Sequence, residues 1–196
     1  TLPGLGERKH LSSAQVDLDT HINDVFNLIE YEGLSDVILV GHSYAGLVIT
    51  AVADRLAPKL AKLVYIDTAP LPNGVCLIDF YPPDMRKLYR QRVAIDGAGW
   101  RLPFPPWEEL DKSGAARDLD ADMRAVIDAR ATDMPFGPAR QPVSLASTGR
   151  AKLAKTAIWC TTSSQQVRQM IESGNPMFKE LAGPEWTFTE LRTGHW

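Results

Sequence analysis

The stretch Val37-Ile38-Leu39-Val40-Gly41-His42-Ser43-Tyr44-Ala45-Gly46 constrains the fold of this chain more than any other. A short β-branched run bounded by glycine has the pattern of a strand buried on both faces, and it passes without a linker into an apolar helical stretch over residues 44–56. Serine stands at the corner. A strand that turns so abruptly into a helix packed on its own sheet puts the corner residue in strained backbone geometry. Its hydroxyl then stands clear of the sheet edge, with the helix N-terminus aimed at it. Small residues are required two positions before and two after, because larger side chains collide as strand and helix close up. Gly41 and Ala45 meet that requirement, with alanine where the usual pattern has glycine. The alternative is a serine that caps a helix in an ordinary strand-to-helix turn. The strand and helix context favours Ser43 as a nucleophile.

Composition removes whole classes of function. The chain has 196 residues and is 44% hydrophobic, enough for one globular domain with a substantial core. Its 21 Lys and Arg against 24 Asp and Glu give a net charge of −3, with no basic cluster for a phosphate backbone, so nucleic acid is not an expected partner. The longest apolar run, over residues 45–53, is broken by Gly46 and Thr50 and falls short of the roughly 20 residues a bilayer requires. Cys76 and Cys160 make neither a disulfide framework nor a zinc spacing. No phosphate loop is present, and the Gly41 to Gly46 segment lacks the third glycine of a dinucleotide fingerprint, so no metal or cofactor is expected. The chain opens at Thr1 without methionine and stops at Trp196 directly after a glycine-histidine pair. It reads as a fragment, with a cytoplasmic setting as the expectation.

Along the chain, residues 1–13 read as an entry loop. A helix follows through Ile22, Val25, Phe26 and Ile29, capped by Asp19 and ended at Gly33. Residues 37–40 form a strand, 44–56 a helix and 63–66 a second strand, an alternation that implies parallel pairing. The expected class is therefore α/β: a mostly parallel sheet with flanking helices and a helical cap insertion. Residues 1–74 hold the first part of the core. Residues 75–150 form the cap, with helices over 84–93 and 119–130 separated by the proline-rich stretch from Arg101 to Trp107. Residues 151–196 resume the core with a strand over 156–160 and a helix from Ser164 that turns Val167, Met170 and Ile171 inward. A short helix opens after Asn175-Pro176, and a last strand runs over 186–191.

A serine hydroxyl needs a base within hydrogen-bond reach. Of the four histidines, His10 lies in the entry loop, His21 opens a helix, and His42 adjoins the serine on the strand side of the turn. His195 follows the final strand in Thr193-Gly194-His195-Trp196, at the same carboxyl edge as Ser43 in a parallel sheet, and is the candidate base. The third member should be a buried carboxylate that fixes the imidazole tautomer. Residues 161–171, after the 156–160 strand, contain no Asp or Glu. Asp67, at the carboxyl end of the 63–66 strand, is the candidate acid; otherwise it organises the turn Thr68-Ala69-Pro70. The Tyr44 backbone N–H, at the helix start, is the candidate oxyanion donor. Trp100, Phe104 and Trp107 either line an apolar pocket or form a proline-stiffened arm that packs the insertion onto the core.

Taken together, Gly4-Leu5-Gly6-Glu7-Arg8, Asp19-Thr20-His21-Ile22-Asn23-Asp24-Val25, the Gly41 to Gly46 turn, Leu63-Val64-Tyr65-Ile66-Asp67 and Thr193-Gly194-His195-Trp196 resemble one family. It is the α/β-hydrolase fold, in the bacterial esterase-like branch related to plant methylesterases and hydroxynitrile lyases. The resemblance implies an eight-stranded, mostly parallel sheet with a helical cap after the sixth strand. It implies the order serine, acid, histidine, with the acid often after the seventh strand, where this sequence has Ser163 and its neighbours. It further implies strands before Thr1, a histidine-glycine loop giving a second oxyanion N–H, and a closing helix after Trp196. The expected activity is hydrolysis of small-molecule carboxylic esters through an acyl-serine, using Ser43, His195 and Asp67. Two other readings stay open: a hydroxynitrile-lyase-like acid/base enzyme, with Lys87 or Lys112 as the positive side chain, and a catalytically silent small-molecule binder. Nothing in the sequence sets an oligomeric state.

Overall fold

In the computed structural model, which describes residues 1–196, four strands form one parallel sheet. In chain order the first half runs α1 (Leu18–Tyr31), β1 (Val37–His42), α2 (Ala45–Leu56) and β2 (Leu60–Ile66). An insertion follows, and the sheet is completed by β5 (Ala154–Trp159), α8 (Ser164–Glu172) and β6 (Trp186–Glu190), in the spatial order β1-β2-β5-β6. The core lies where α1 and α2 cover the sheet. Leu47, Val48 and Val52 of α2 pack with Leu63 and Tyr65 of β2, Ile22 of α1 and Ala157 of β5. Each large aliphatic side chain buried there contributes about 1.5–3 kcal/mol. The helix α2 is buried continuously from Gly46 to Asp54. Asp54 is tolerated there because its carboxylate accepts the Ala146 and Ser147 N–H groups and faces Arg150.

Several boundaries differ from the sequence reading, each for a physical reason. Asp17 rather than Asp19 caps α1, in a reciprocal capping box with Thr20. Asp19 lies within the first turn and pairs with Arg55. The second strand starts at Leu60, because Leu60 is buried opposite Val37. The third starts at Ala154 and includes a buried lysine, Lys155, whose ammonium donates to the Ala151 and Leu153 carbonyls, 3.0 and 3.1 Å away. A lysine flanked by alanine and threonine gave no strand signal. The entry segment holds a 3₁₀ helix, Gly6–Leu11, in place of an unstructured loop, and Pro176–Ala182 is likewise 3₁₀. Met170 is 37% exposed; Val167 alone is fully inward on α8.

Between β2 and β5 the chain is more structured than two helices. It forms α3 (Leu77–Phe80), α4 (Pro83–Ile95), β3 (Arg101–Leu102), α5 (Trp107–Ser113), α6 (Ala121–Arg130), β4 (Met134–Pro135) and α7 (Gly137–Arg140). The short strands β3 and β4 pair antiparallel, so the proline-rich stretch opens with a strand, continues without regular structure over residues 103–106 and leads into α5. Ile78, Val93, Phe136 and Ala139 form a separate small core. Both cysteines are free thiols, and no helix is long and apolar enough to cross a membrane.

Candidate active site

Only Ser43 and Tyr44 separate the end of β1 from the start of α2. Ser43 takes a left-handed backbone with φ of 51°, a conformation that costs a non-glycine residue on the order of 1–3 kcal/mol. Its N–H donates to the Ile66 carbonyl at 3.0 Å, which ties the corner to the end of β2. The close approach of strand and helix leaves no room at Gly41, where a Cβ would lie 2.7 Å from the Ala45 carbonyl oxygen. At Gly46 a Cβ would lie 2.5 Å from Thr68 Cγ2. Gly41→Ala is therefore expected to destabilise the fold by about 1–3 kcal/mol, read as a lower urea midpoint at unchanged slope. An unchanged midpoint would show that strand and helix separate freely.

Three of the sequence-chosen residues meet. Ser43 Oγ lies 2.8 Å from His195 Nε2, and His195 Nδ1 lies 2.5 Å from Asp67 Oδ2. The Asp67 side chain is 3% exposed. Its Oδ1 accepts the N–H groups of Cys160 at 2.9 Å and Thr161 at 3.0 Å, and Oδ2 also accepts the Thr161 hydroxyl at 2.8 Å. Burial opposes its ionisation, but the hydrogen bonds from His195, Cys160 and Thr161 outweigh burial and hold the carboxyl well below the usual carboxylate range. An ionised Asp67 makes Nδ1 the protonated nitrogen of His195, so the Nε2 lone pair faces the Ser43 hydroxyl. The loop after β5, empty of acids, has another use: its N–H groups hold the acid supplied by β2.

Tyr44, next to Ser43, presents a backbone N–H with no hydrogen-bond partner in the protein, at the N-terminus of the 12-residue helix α2. Its side chain is locked by His21, which is completely buried. The Pro3 carbonyl can only accept, so His21 Nε2 donates to it at 2.8 Å and Nδ1 accepts the Tyr44 hydroxyl at 2.7 Å. Burial pushes the His21 imidazole below its ordinary value and the Tyr44 phenol above, so both are neutral.

The three aromatic candidates separate. Phe104 packs edge-on against Trp196, 5.8 Å between ring centres, and Trp196 in turn lies 5.6 Å from the His195 ring. Trp107 touches Phe104 but is engaged on its other sides. Its Nε1–H donates to Asp128 at 2.8 Å, and the Arg124 guanidinium lies 4.9 Å from the ring centre. Trp100 is not brought to the serine. It immediately precedes β3, with its carbonyl accepting the Phe136 N–H and Arg101 over its ring. Lys112 is 75% exposed and paired with Glu108, and Lys87 is exposed on α4. No group of three or more His, Cys, Asp or Glu side chains has a metal-binding arrangement. One residue that sequence reasoning set aside does reach the site: His42 Nε2 lies 2.7 Å from the His195 carbonyl oxygen.

A family model described as the alpha/beta hydrolase family matches residues 1–196. Over 82 residues the chain is 55% identical to a carbendazim hydrolyzing esterase of Nocardioides sp. (strain SG-4G). That stretch is 42% of this chain and 34% of the relative, so the match spans about a third of the relative's length. Among solved structures, an extracellular alpha/beta-hydrolase from a Paenibacillus species superposes with a TM-score of 0.78 at 20% identity, over 99% of this chain and 77% of that one. An Arabidopsis methylesterase superposes with a TM-score of 0.67 at 17% identity, over 99% and 76%. These two likenesses show the fold.

Proposed function

From a chain that belongs to the alpha/beta hydrolase family, we propose a serine hydrolase that cleaves carboxylic esters of small molecules through an acyl-serine intermediate. The observation that carries this reading is the unbroken hydrogen-bond line from Ser43 through His195 to Asp67. In this reading the Ser43 turn is a nucleophile elbow. As Ser43 Oγ attacks the ester carbonyl carbon, its proton passes to His195 Nε2. The carbonyl oxygen becomes an oxyanion facing the Tyr44 N–H and the positive end of α2. His195 then returns the proton to the leaving alcohol, and the acyl group stays on Ser43. Water attacks the acyl-serine with His195 again as base, releasing the carboxylic acid. Asp67 holds the imidazole in register throughout and balances its positive charge while it carries the proton. Residues 75–150 act as the cap, and Phe104 and Trp196 provide apolar surface beside the histidine.

The 55% identical relative is named for carbendazim hydrolysis, which puts carbendazim in the substrate panel beside chromogenic short-chain esters. Exposed Lys87 and the Lys112–Glu108 pair supply no buried cation for a hydroxynitrile-lyase reading. The deciding experiment is intact-mass detection of fluorophosphonate labelling on the protein and on its Ser43→Ala and His195→Ala variants. A single adduct on the parent that is lost in both variants is the expected result. An unlabelled parent would overturn the covalent mechanism and leave the silent binder.

A further inference from the structure

His195 lies five residues beyond the end of β6. Between Glu190 and His195, Leu191 N–H donates to the Trp159 carbonyl, Thr193 N–H to the Leu191 carbonyl and Arg192 to the Glu190 carboxylate. His195 is held at its own peptide groups by two distant parts of the chain. Its N–H donates to the Ala115 carbonyl in the insertion at 2.8 Å, and its carbonyl accepts the Nε2–H of His42 at 2.7 Å. The neighbouring residues share the same grip. Trp196 N–H reaches the Ala115 carbonyl at 3.3 Å, and the Arg117 guanidinium donates to the Thr193 carbonyl at 2.6 Å. The fit is tight: a Cβ on Gly194 would lie 2.4 Å from the Arg117 carbonyl oxygen and 2.7 Å from that of Ala115.

We propose that His42 and the Ala115 carbonyl are positioning groups for His195, gripping its peptide from the core and from the insertion so that the imidazole stays between Ser43 and Asp67. This rests on the serine-hydrolase reading of that line. His42 is the last residue of β1 and the immediate neighbour of Ser43. The serine and the grip on its base therefore belong to one rigid strand end, and the Oγ to Nε2 distance is set by a single short path. Because a carbonyl only accepts, His42 must carry its proton on Nε2. Its ring lies 4.6 Å from that of His195, and burial together with this neighbour keeps it neutral, so it donates without placing a second charge beside the base. On the other side, the Ala115 carbonyl makes residues 114–118 of the insertion part of the catalytic geometry as well as of the cover.

The test compares the parent protein with His42→Ala, His42→Gln and Arg117→Ala, read by fluorophosphonate inactivation rate, thermal midpoint and the low-field proton resonance of the His195–Asp67 hydrogen bond. His42→Ala is expected to slow inactivation by about 10- to 100-fold, the cost of a small misplacement of a reacting group. Its low-field resonance broadens or disappears. His42→Gln, whose carboxamide N–H reaches close to the position of Nε2, restores most of the rate and the resonance. Arg117→Ala, at an exposed side chain, slows inactivation several-fold at an unchanged thermal midpoint. A His42→Ala variant that reacts at the parental rate with its resonance intact overturns the proposal. So does one whose loss follows a fallen midpoint and is not restored by glutamine. An unlabelled parent overturns the serine-hydrolase reading instead, and the resonance in the same variants still decides whether His42 positions His195 against Asp67.

Discussion

Ser43→Ala is expected to lower turnover of a chromogenic short-chain ester by about a millionfold, and adding His195→Ala to it to cost almost nothing more. In the proposed mechanism the two side chains act as one unit. Without the serine oxygen, His195 has no proton to accept from it; without His195 Nε2 at 2.8 Å, the hydroxyl stays protonated and weakly nucleophilic. Alanine fits the corner because it removes one atom and leaves the left-handed backbone at φ 51° as it was. The measurement is kcat for the parent, both single variants and the double variant, with thermal midpoints alongside. Losses that multiply in the double variant would mean that Ser43 and His195 act independently and would sink the mechanism.

Asp67→Asn is expected to reduce turnover by about 10⁴-fold with the fold intact. The reason lies in what surrounds the carboxylate. The Cys160 and Thr161 N–H groups both point at Oδ1, so an asparagine there must place its oxygen toward them and its NH₂ toward His195. His195 Nδ1 then has to accept, which moves the ring proton to Nε2 and turns the base into a donor facing Ser43. Asparagine at this site with parental turnover would send the acid's role elsewhere. The same substitution has a pH signature. Hydrogen bonds hold the folded Asp67 carboxyl below its ordinary value of 3.8, so folding binds fewer protons there. The stability this contributes is present above that value and is lost as pH falls below it. The gap in urea midpoint between parent and Asp67→Asn should therefore close in acid; a gap independent of pH would mean that the carboxylate charge contributes nothing.

Where local chemistry speaks alone, the sequence was legible. The order helix, strand, serine corner, helix, strand follows from β-branched runs, glycine punctuation and helical periodicity. The insertion reads as mostly helical, but its antiparallel β3–β4 pair is not legible because two-residue strands carry no period. Lys155 hid the start of β5 because a charged side chain is read as exposed until its carbonyl partners are known. Asp19 reads as the cap of α1 because aspartate is a good capping residue; the Thr20 side chain bonding back to Asp17 places the cap two residues earlier. Among the aromatics, composition gives no means of telling Phe104, beside Trp196, from Trp100, whose carbonyl is held by the Phe136 N–H.

The residue string by itself determined the strained corner at Ser43, since a buried strand running straight into a buried helix with Gly41 and Ala45 on either side has one compact solution. It also placed His195 and Asp67 at the carboxyl ends of parallel strands, because alternation with helices dictates that direction. Tertiary structure alone decided what those positions do to one another. His195 lies 152 residues from Ser43 and 128 from Asp67, and hydrogen bonds across such separations depend on strand order and loop path. The same holds for His42, which looks like an incidental neighbour of the serine until the last loop of the chain brings the His195 carbonyl to its Nε2–H.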